Sequence, residues 1–175
     1  MHIKKKRSKE IAELIVLIGP PCSGKSTFSK ELISNKPEKE YVTISSDDLI
    51  EEYAKENGIS YNEVLSSVGM KSFESLMFKK FYEEIQKGSN IIVDRTNMKV
   101  SSRSKFVLPC LSDSHKRYTD LTAVVFNQPI EVLLERNKIR FESTGKNIPR
   151  VVFYSMIKSY EEPTMEEGFT DIIFQ

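Results

Sequence analysis

No stretch of the sequence is apolar for the length that a membrane span requires. The nearest approach is the start, MHIKKKRSKEIAELIVLIG, where a basic run precedes an apolar one, as in a secretory signal. Glu10 and Glu13 interrupt the apolar part, however, and GPPCSGKST follows where a small-residue cleavage site belongs. The expectation is a cytoplasmic protein, in the host cytoplasm if the source is viral, with no membrane partner. Cysteine is scarce too. Cys22 and Cys110 lie far apart without metal-ligand spacing, which fits a reducing cytosol with idle or buried thiols rather than a disulfide scaffold. Charge of one sign is also missing: 26 Lys and Arg against 25 Asp and Glu leave a net +1, so any polyanion site must be a local patch. Lys4, Lys5, Lys6 and Arg7 make residues 1–10 a basic, solvated tail able to touch a polyanion. Repeats, low-complexity tracts and linkers are absent. That leaves residues 11–175 as one domain, long enough to bury a substantial core unaided.

What is present alternates between strand and helix patterns. Leu14 to Ile18 is a continuous apolar run of strand length, as in a strand covered on both faces. A helix is expected over about 25–34, a second strand over 41–44, and a helix from about Asp47 to Asn57-Gly58, where glycine can take the left-handed cap. Phe73, Leu76, Met77, Phe81 and Ile85 recur at helical spacing before a stop at Lys87-Gly88. Ile91 to Val93 reads as a third strand, and 103–111 as a helix kinked or ended by Pro109. A fourth strand is expected over 121–126, then a helix with Pro129 as its first residue. Residues 141–147, FESTGKN, read as a loop. A last helix carries Val152, Phe153, Met156, Ile157 and Tyr160, and 171–174 closes with a short strand. This alternation predicts an α/β fold with a mostly parallel sheet of about five strands.

Gly19-Pro20-Pro21-Cys22-Ser23-Gly24-Lys25-Ser26 satisfies G-x-x-x-x-G-K-[ST], between an apolar strand and a helix as its mechanism requires. The glycines let backbone N–H groups turn inward around phosphate oxygens, and the helix start adds a favourable dipole. Lys25 is placed to reach the β and γ phosphates of a bound nucleotide, and Ser26 to ligate Mg²⁺. Cys22 fills a free position of the motif. In open α/β sheets function gathers beyond the carboxyl ends of the strands. That rule draws Ser46-Asp47-Asp48 and Asp94-Arg95-Thr96-Asn97 around the same crevice. Asp94 occupies the strand-end position where P-loop enzymes keep an acid near Mg²⁺ or the reacting phosphate, the alternative being a turn cap. Ser45 and Asp48 fit a capping box in which Asp48 folds back to the helix start and leaves Asp47 free to face the crevice. Arg136 and Arg140, four apart, share a helix face and can converge on one anion, or stand solvated beside Glu131 and Glu135.

Together these residues resemble the kinase domains of polynucleotide 5′-hydroxyl kinases, such as those of phages and of animal DNA-repair enzymes. The resemblance rests on an ordered set: GPPCSGKST, ISSDD, IIVDRTN with Arg103 after it, ERNKIR, IPRVVFYSMIKSY and EEPTMEEGF. It implies a P-loop kinase fold with a helical lid, and transfer of the γ phosphate of ATP or another NTP, with Mg²⁺, to the 5′-OH end of DNA or RNA, with a polynucleotide ligase as a candidate partner. By resemblance, Gly19 to Thr27 bind the nucleotide, Asp47 is the general base, and Arg140 is the lid arginine on the transferring phosphate. Arg136 and Ile148 flank the adenine, while Asp94, Thr96, Asn97 and Arg103 belong to the acceptor or phosphate network. Ile50 and Ser46 stand where family members carry arginines that grip the acceptor. A small-molecule or nucleotide-sugar kinase, or a non-catalytic nucleotide-dependent binding module, therefore stays as the alternative. The excursion between the second and third strands is expected to wall the acceptor site, with Tyr53, Tyr61, Phe78 and Tyr82 either stacking bases or packing inward. The length suggests a stand-alone kinase without a phosphatase or ligase domain.

Overall fold

The computed structural model of the chain describes residues 11–112 and 118–175. The basic run Lys4–Arg7 lies outside the described residues. Among those described, five strands form one sheet in the order β2-β3-β1-β4-β5: β1 (Ala12–Ile18), β2 (Val42–Ile44), β3 (Ile91–Asp94), β4 (Tyr118–Val125) and β5 (Asp171–Phe174). Every neighbouring pair is parallel. Central β1 is buried on both faces, which is why its apolar run is unbroken. Leu14, Val16 and Ile18 point into one core with Phe81, Phe106 and Val107, and Ile15 and Leu17 into the other against Phe28, Leu32 and Ile33.

The helices are α1 (Lys25–Asn35), α2 (Ser46–Asn57), α3 (Tyr61–Ser67), α4 (Met70–Lys87), α5 (Val100–Leu111), α6 (Ile130–Thr144) and α7 (Arg150–Lys158). Gly58 ends α2 at φ 64°, its N–H reaching Ala54 and Lys55, as the expected left-handed cap. The excursion between β2 and β3 is α2, α3 and α4, with a small core of its own made by Ile50, Ala54, Val64 and Phe73.

Several expectations need correction. Leu76 is 52% exposed, because the buried stripe of α4 runs through Phe73, Met77, Phe81 and Ile85 and passes it by. Of the two alternatives for Pro109, it does not end α5, which continues to Leu111 with the proline inside it. Pro129 is the residue before α6, with ψ 144°, not its first helical residue. Phe141 to Thr144 continue α6, and the chain leaves the helix only at Gly145, φ 71°. For Phe78 and Tyr53 the packing alternative holds and needs no correction: Phe78 stacks on Phe106 at 5.3 Å and Tyr53 sets its ring edge against Phe73.

Candidate active site

The loop between β1 and α1 is folded by close approaches. A Cβ on Gly19 would lie 2.9 Å from Ser23 Oγ and 3.0 Å from the Phe126 carbonyl oxygen, so only glycine fits. The Gly19 N–H donates to Thr96 O at 2.9 Å, fastening the loop to the exit of β3. Gly24, φ 105°, and Cys22, φ 63°, take left-handed conformations that bend the loop around its hollow. Lys25 is buried, its ammonium donating to Gly19 O (2.9 Å), Pro20 O (2.7 Å) and Ser23 Oγ (3.4 Å). Burial pulls its pKa down to about 8 against the opposing pull of Asp94, Cys22 and Asp47, with Arg140 adding to the depression.

The loop opens into a cavity of about 710 Å³. Asp47 reaches it from the start of α2, Asp94, Arg95 and Thr96 from the end of β3, and Arg136 and Arg140 from α6. The strand-end rule thus brings together Lys25, Ser26, Asp47, Asp94 and Thr96. Arg136 Nη1 donates to Cys22 O at 3.1 Å, which ties α6 to the loop. Ser26 Oγ donates to Asp94 Oδ2 at 2.7 Å. A hydroxyl and a carboxylate side by side at the foot of a phosphate loop are hard oxygen donors of the kind Mg²⁺ takes, so these residues fit that ion. Burial raises the pKa of Asp94, while the Ser26 hydrogen bond and the Lys25 charge act against that rise.

Asp48 differs from the expectation. Ser45 Oγ accepts from the Asp48 backbone N–H at 3.2 Å and caps α2, but the return bond of a capping box is not made there; α3 has both bonds, between Ser60 and Glu63. The Asp48 carboxyl instead has its pKa raised by burial and then by Asp94, Glu51 and Asp47.

Three residues expected at the site are placed otherwise. Arg103 is fully buried, its guanidinium gripping both carboxylate oxygens of Glu167 at 2.7 Å and donating to Asn97 O and Glu161 O. All its reach is spent inside the protein, so it braces the Asp94–Asn97 turn rather than facing an acceptor. Asn97, also buried, donates to Leu17 O at 2.9 Å. Ile148 does not line the cavity: its carbonyl and N–H bond the side chain of buried Asn137, which pins the turn after α6. Arg95, which the strand-end rule drew to the crevice without a role of its own, lines the cavity and pairs with Glu74 at 2.5 Å. Asn137 and Lys146 were passed over, and no local signal marks either. Tyr61 was weighed only as a ring that stacks bases or packs inward, yet its hydroxyl donates to Asp47 Oδ1 at 2.8 Å.

No helix of the described residues is long and apolar enough to cross a membrane. The chain is 26% identical over 173 residues to the bifunctional polynucleotide phosphatase/kinase of Schizosaccharomyces pombe, covering 98% of this chain and 34% of that protein. It is 29% identical to the L-seryl-tRNA(Sec) kinase of Methanococcus maripaludis, over 86% of this chain and 53% of that one. Among solved structures, a chain of the Pnkp1/Rnl/Hen1 RNA repair complex superposes with a TM-score of 0.63 at 25% identity, over 89% of this chain and 46% of that one. The chain thus spans a third to about half of these relatives. The AAA-domain family model AAA_33 matches residues 14–163. A match over that much of the length makes the chain a member of the AAA_33 family, a P-loop kinase domain.

Proposed function

We propose that the chain transfers the γ phosphate of ATP to the 5′-hydroxyl end of a polynucleotide. The observation that carries this reading is Asp47, which meets Lys25, Asp94 and Arg140 in one cavity without being part of the phosphate loop. A carboxylate so placed serves an incoming hydroxyl. The acceptor oxygen forms its bond to the γ phosphorus as the bond to the β–γ bridging oxygen breaks, and Asp47 takes the hydroxyl proton as ADP leaves. The loop amides, Lys25 and Arg140 hold the oxygens of the transferring group. Mg²⁺, held by Ser26 and Asp94, would neutralise charge on the β and γ phosphates. The resemblance to the fission-yeast phosphatase/kinase and to the RNA repair complex supports the polynucleotide acceptor, and a ligase as partner.

A second reading, phosphorylation of a different hydroxyl, rests on Ser46 and Ile50, both buried and uncharged beside Asp47, and on the resemblance to the seryl-tRNA kinase. Transfer of labelled γ phosphate to 5′-OH DNA and RNA oligonucleotides, run beside mononucleosides and sugars, separates the two. Label on oligonucleotide 5′ ends is the expected result. Label on the small molecules alone refutes the first reading.

A further inference from the structure

Tyr61, on the excursion between β2 and β3, meets the segment that follows α6, which the resemblance implies is part of the lid. It opens α3 inside the Ser60–Glu63 capping box, so its backbone position is fixed by two reciprocal bonds. A phenol has one proton to give, and Tyr61 gives it to Asp47 Oδ1, leaving Oδ2 of that carboxylate for another donor. Burial and then the Asp47 charge raise the Tyr61 pKa, which keeps the phenol protonated as a donor.

The ring of Tyr61 carries a second contact. Lys146 Nζ lies 4.0 Å from its centroid, within reach of a cation–π interaction, and the same ammonium pairs with Glu51. Lys146 directly follows Gly145, the cap of α6, the helix that carries Arg136 and Arg140. Glu51 lies one turn beyond Asp47 on α2. The lid segment is thus latched onto the very residue that holds Asp47. Lys146 is largely covered, its stem lying against protein while its ammonium sits on the ring and on Glu51.

Building on the reading of Asp47 as the base, we propose that Tyr61 is its positioning residue and that Lys146 is the lid's hold on Tyr61. Seating the lid and aiming the base are then a single event. With the lid away, Tyr61 loses its cation and Asp47 its fixed aim, so a nucleotide bound without closure does not meet an oriented carboxylate. The latch contains no atom that reacts; it acts through Asp47.

Tyr61→Phe keeps the ring and removes one oxygen. Turnover is expected to fall about tenfold, the scale of losing a hydrogen bond to a charged group, with the KM for ATP changed by less than about twofold. In an Asp47→Asn background the same change should cost almost nothing, since the group it positions is gone. Lys146→Met should lower turnover in the intact protein and lose its effect in Tyr61→Ala. Unchanged turnover in a folded Tyr61→Phe overturns the proposal, as do losses that multiply in the double variant. The bond itself is read separately by NMR of isotope-labelled tyrosine Cζ, whose Tyr61 resonance should move in Asp47→Ala; a resonance that stays in place overturns it too. If the resonance moves while Asp47→Asn turns over normally, the base reading has failed and the inference falls with it. If Asp47→Asn is inactive and Tyr61→Phe is normal, the inference alone falls.

Discussion

Lys25→Met keeps the length of the loop lysine and removes its charge. Lys25 is 7% exposed, and burial brings its pKa from 10.5 down to about 8. That gap is worth about 3 kcal/mol between the protonation states at ~1.4 kcal/mol per unit. Between these two values the unfolded chain holds the proton and the folded chain has released it, so wild-type stability gains as pH rises through the window. Below about pH 8 the folded protein bears the whole cost of the buried ammonium. Lys25→Met is free of that cost but strips a donor from Gly19 O, Pro20 O and Ser23 Oγ, an offset of about 1 kcal/mol each. The constant part therefore nearly cancels, and the pH-dependent part does not. The difference in unfolding free energy between wild type and Lys25→Met should shift toward the wild type by up to about 3 kcal/mol from neutral pH to the upper end of the window. Urea titrations of both proteins across that range measure it, and a difference that stays flat refutes the reasoning. A polyphosphate against Lys25 favours the charged form, so nucleotide binding near pH ~8 should take up a proton in the wild type and not in Lys25→Met. Calorimetry in two buffers of different ionisation enthalpy reads that uptake, and Lys25→Met should transfer no phosphate.

Asp47→Asn should lower turnover by about 10² to 10⁴ with ATP affinity nearly unchanged, measured by steady-state kinetics beside equilibrium binding. Arg140→Ala should cost on the order of 10³ in turnover, more than it costs in nucleotide binding, as expected of a cation acting on the transferring group. Ser45→Ala should destabilise by about 1 kcal/mol through loss of the α2 cap. Asp48→Asn should raise stability at neutral pH, because burial and the Asp94, Glu51 and Asp47 charges raise the Asp48 pKa and that penalty is present above it; urea titration tests both. Arg103→Ala leaves Glu167 buried without its partner and should cost about 3 to 5 kcal/mol by the same assay.

The phosphate loop was legible because everything it needs is contiguous: an apolar strand, one glycine where a Cβ would collide and another at a left-handed φ, and a helix that begins at the lysine. Asp47 and Asp94 were legible from one topological rule applied to two strand ends. Arg103 was misread because its partner Glu167 lies 64 residues away, and nothing local distinguishes a buried arginine from a substrate-facing one. The end of α6 was placed early because polar Glu142, Ser143 and Thr144 look like loop; on an exposed helix face they cost little, and the stop signal was Gly145 itself. Helix α3 is short, yet Ser60-x-x-Glu63 announces it. The Tyr61 latch joins α2, α3 and the lid through contacts 14 and 95 residues apart in sequence, beyond the range of any spacing rule.

The bend at Cys22 also gives the chain a built-in reporter. Its two thiols are unequal: Cys110 is buried, with burial pushing its pKa up to about 12, whereas Cys22 is partly exposed on the wall of the phosphate hollow. A thiol-reactive label should therefore react at one place, and a nucleotide lying in the loop would stand in its way. The rate of labelling then measures how often the cradle is empty, without a radioactive phosphate and without knowing the acceptor.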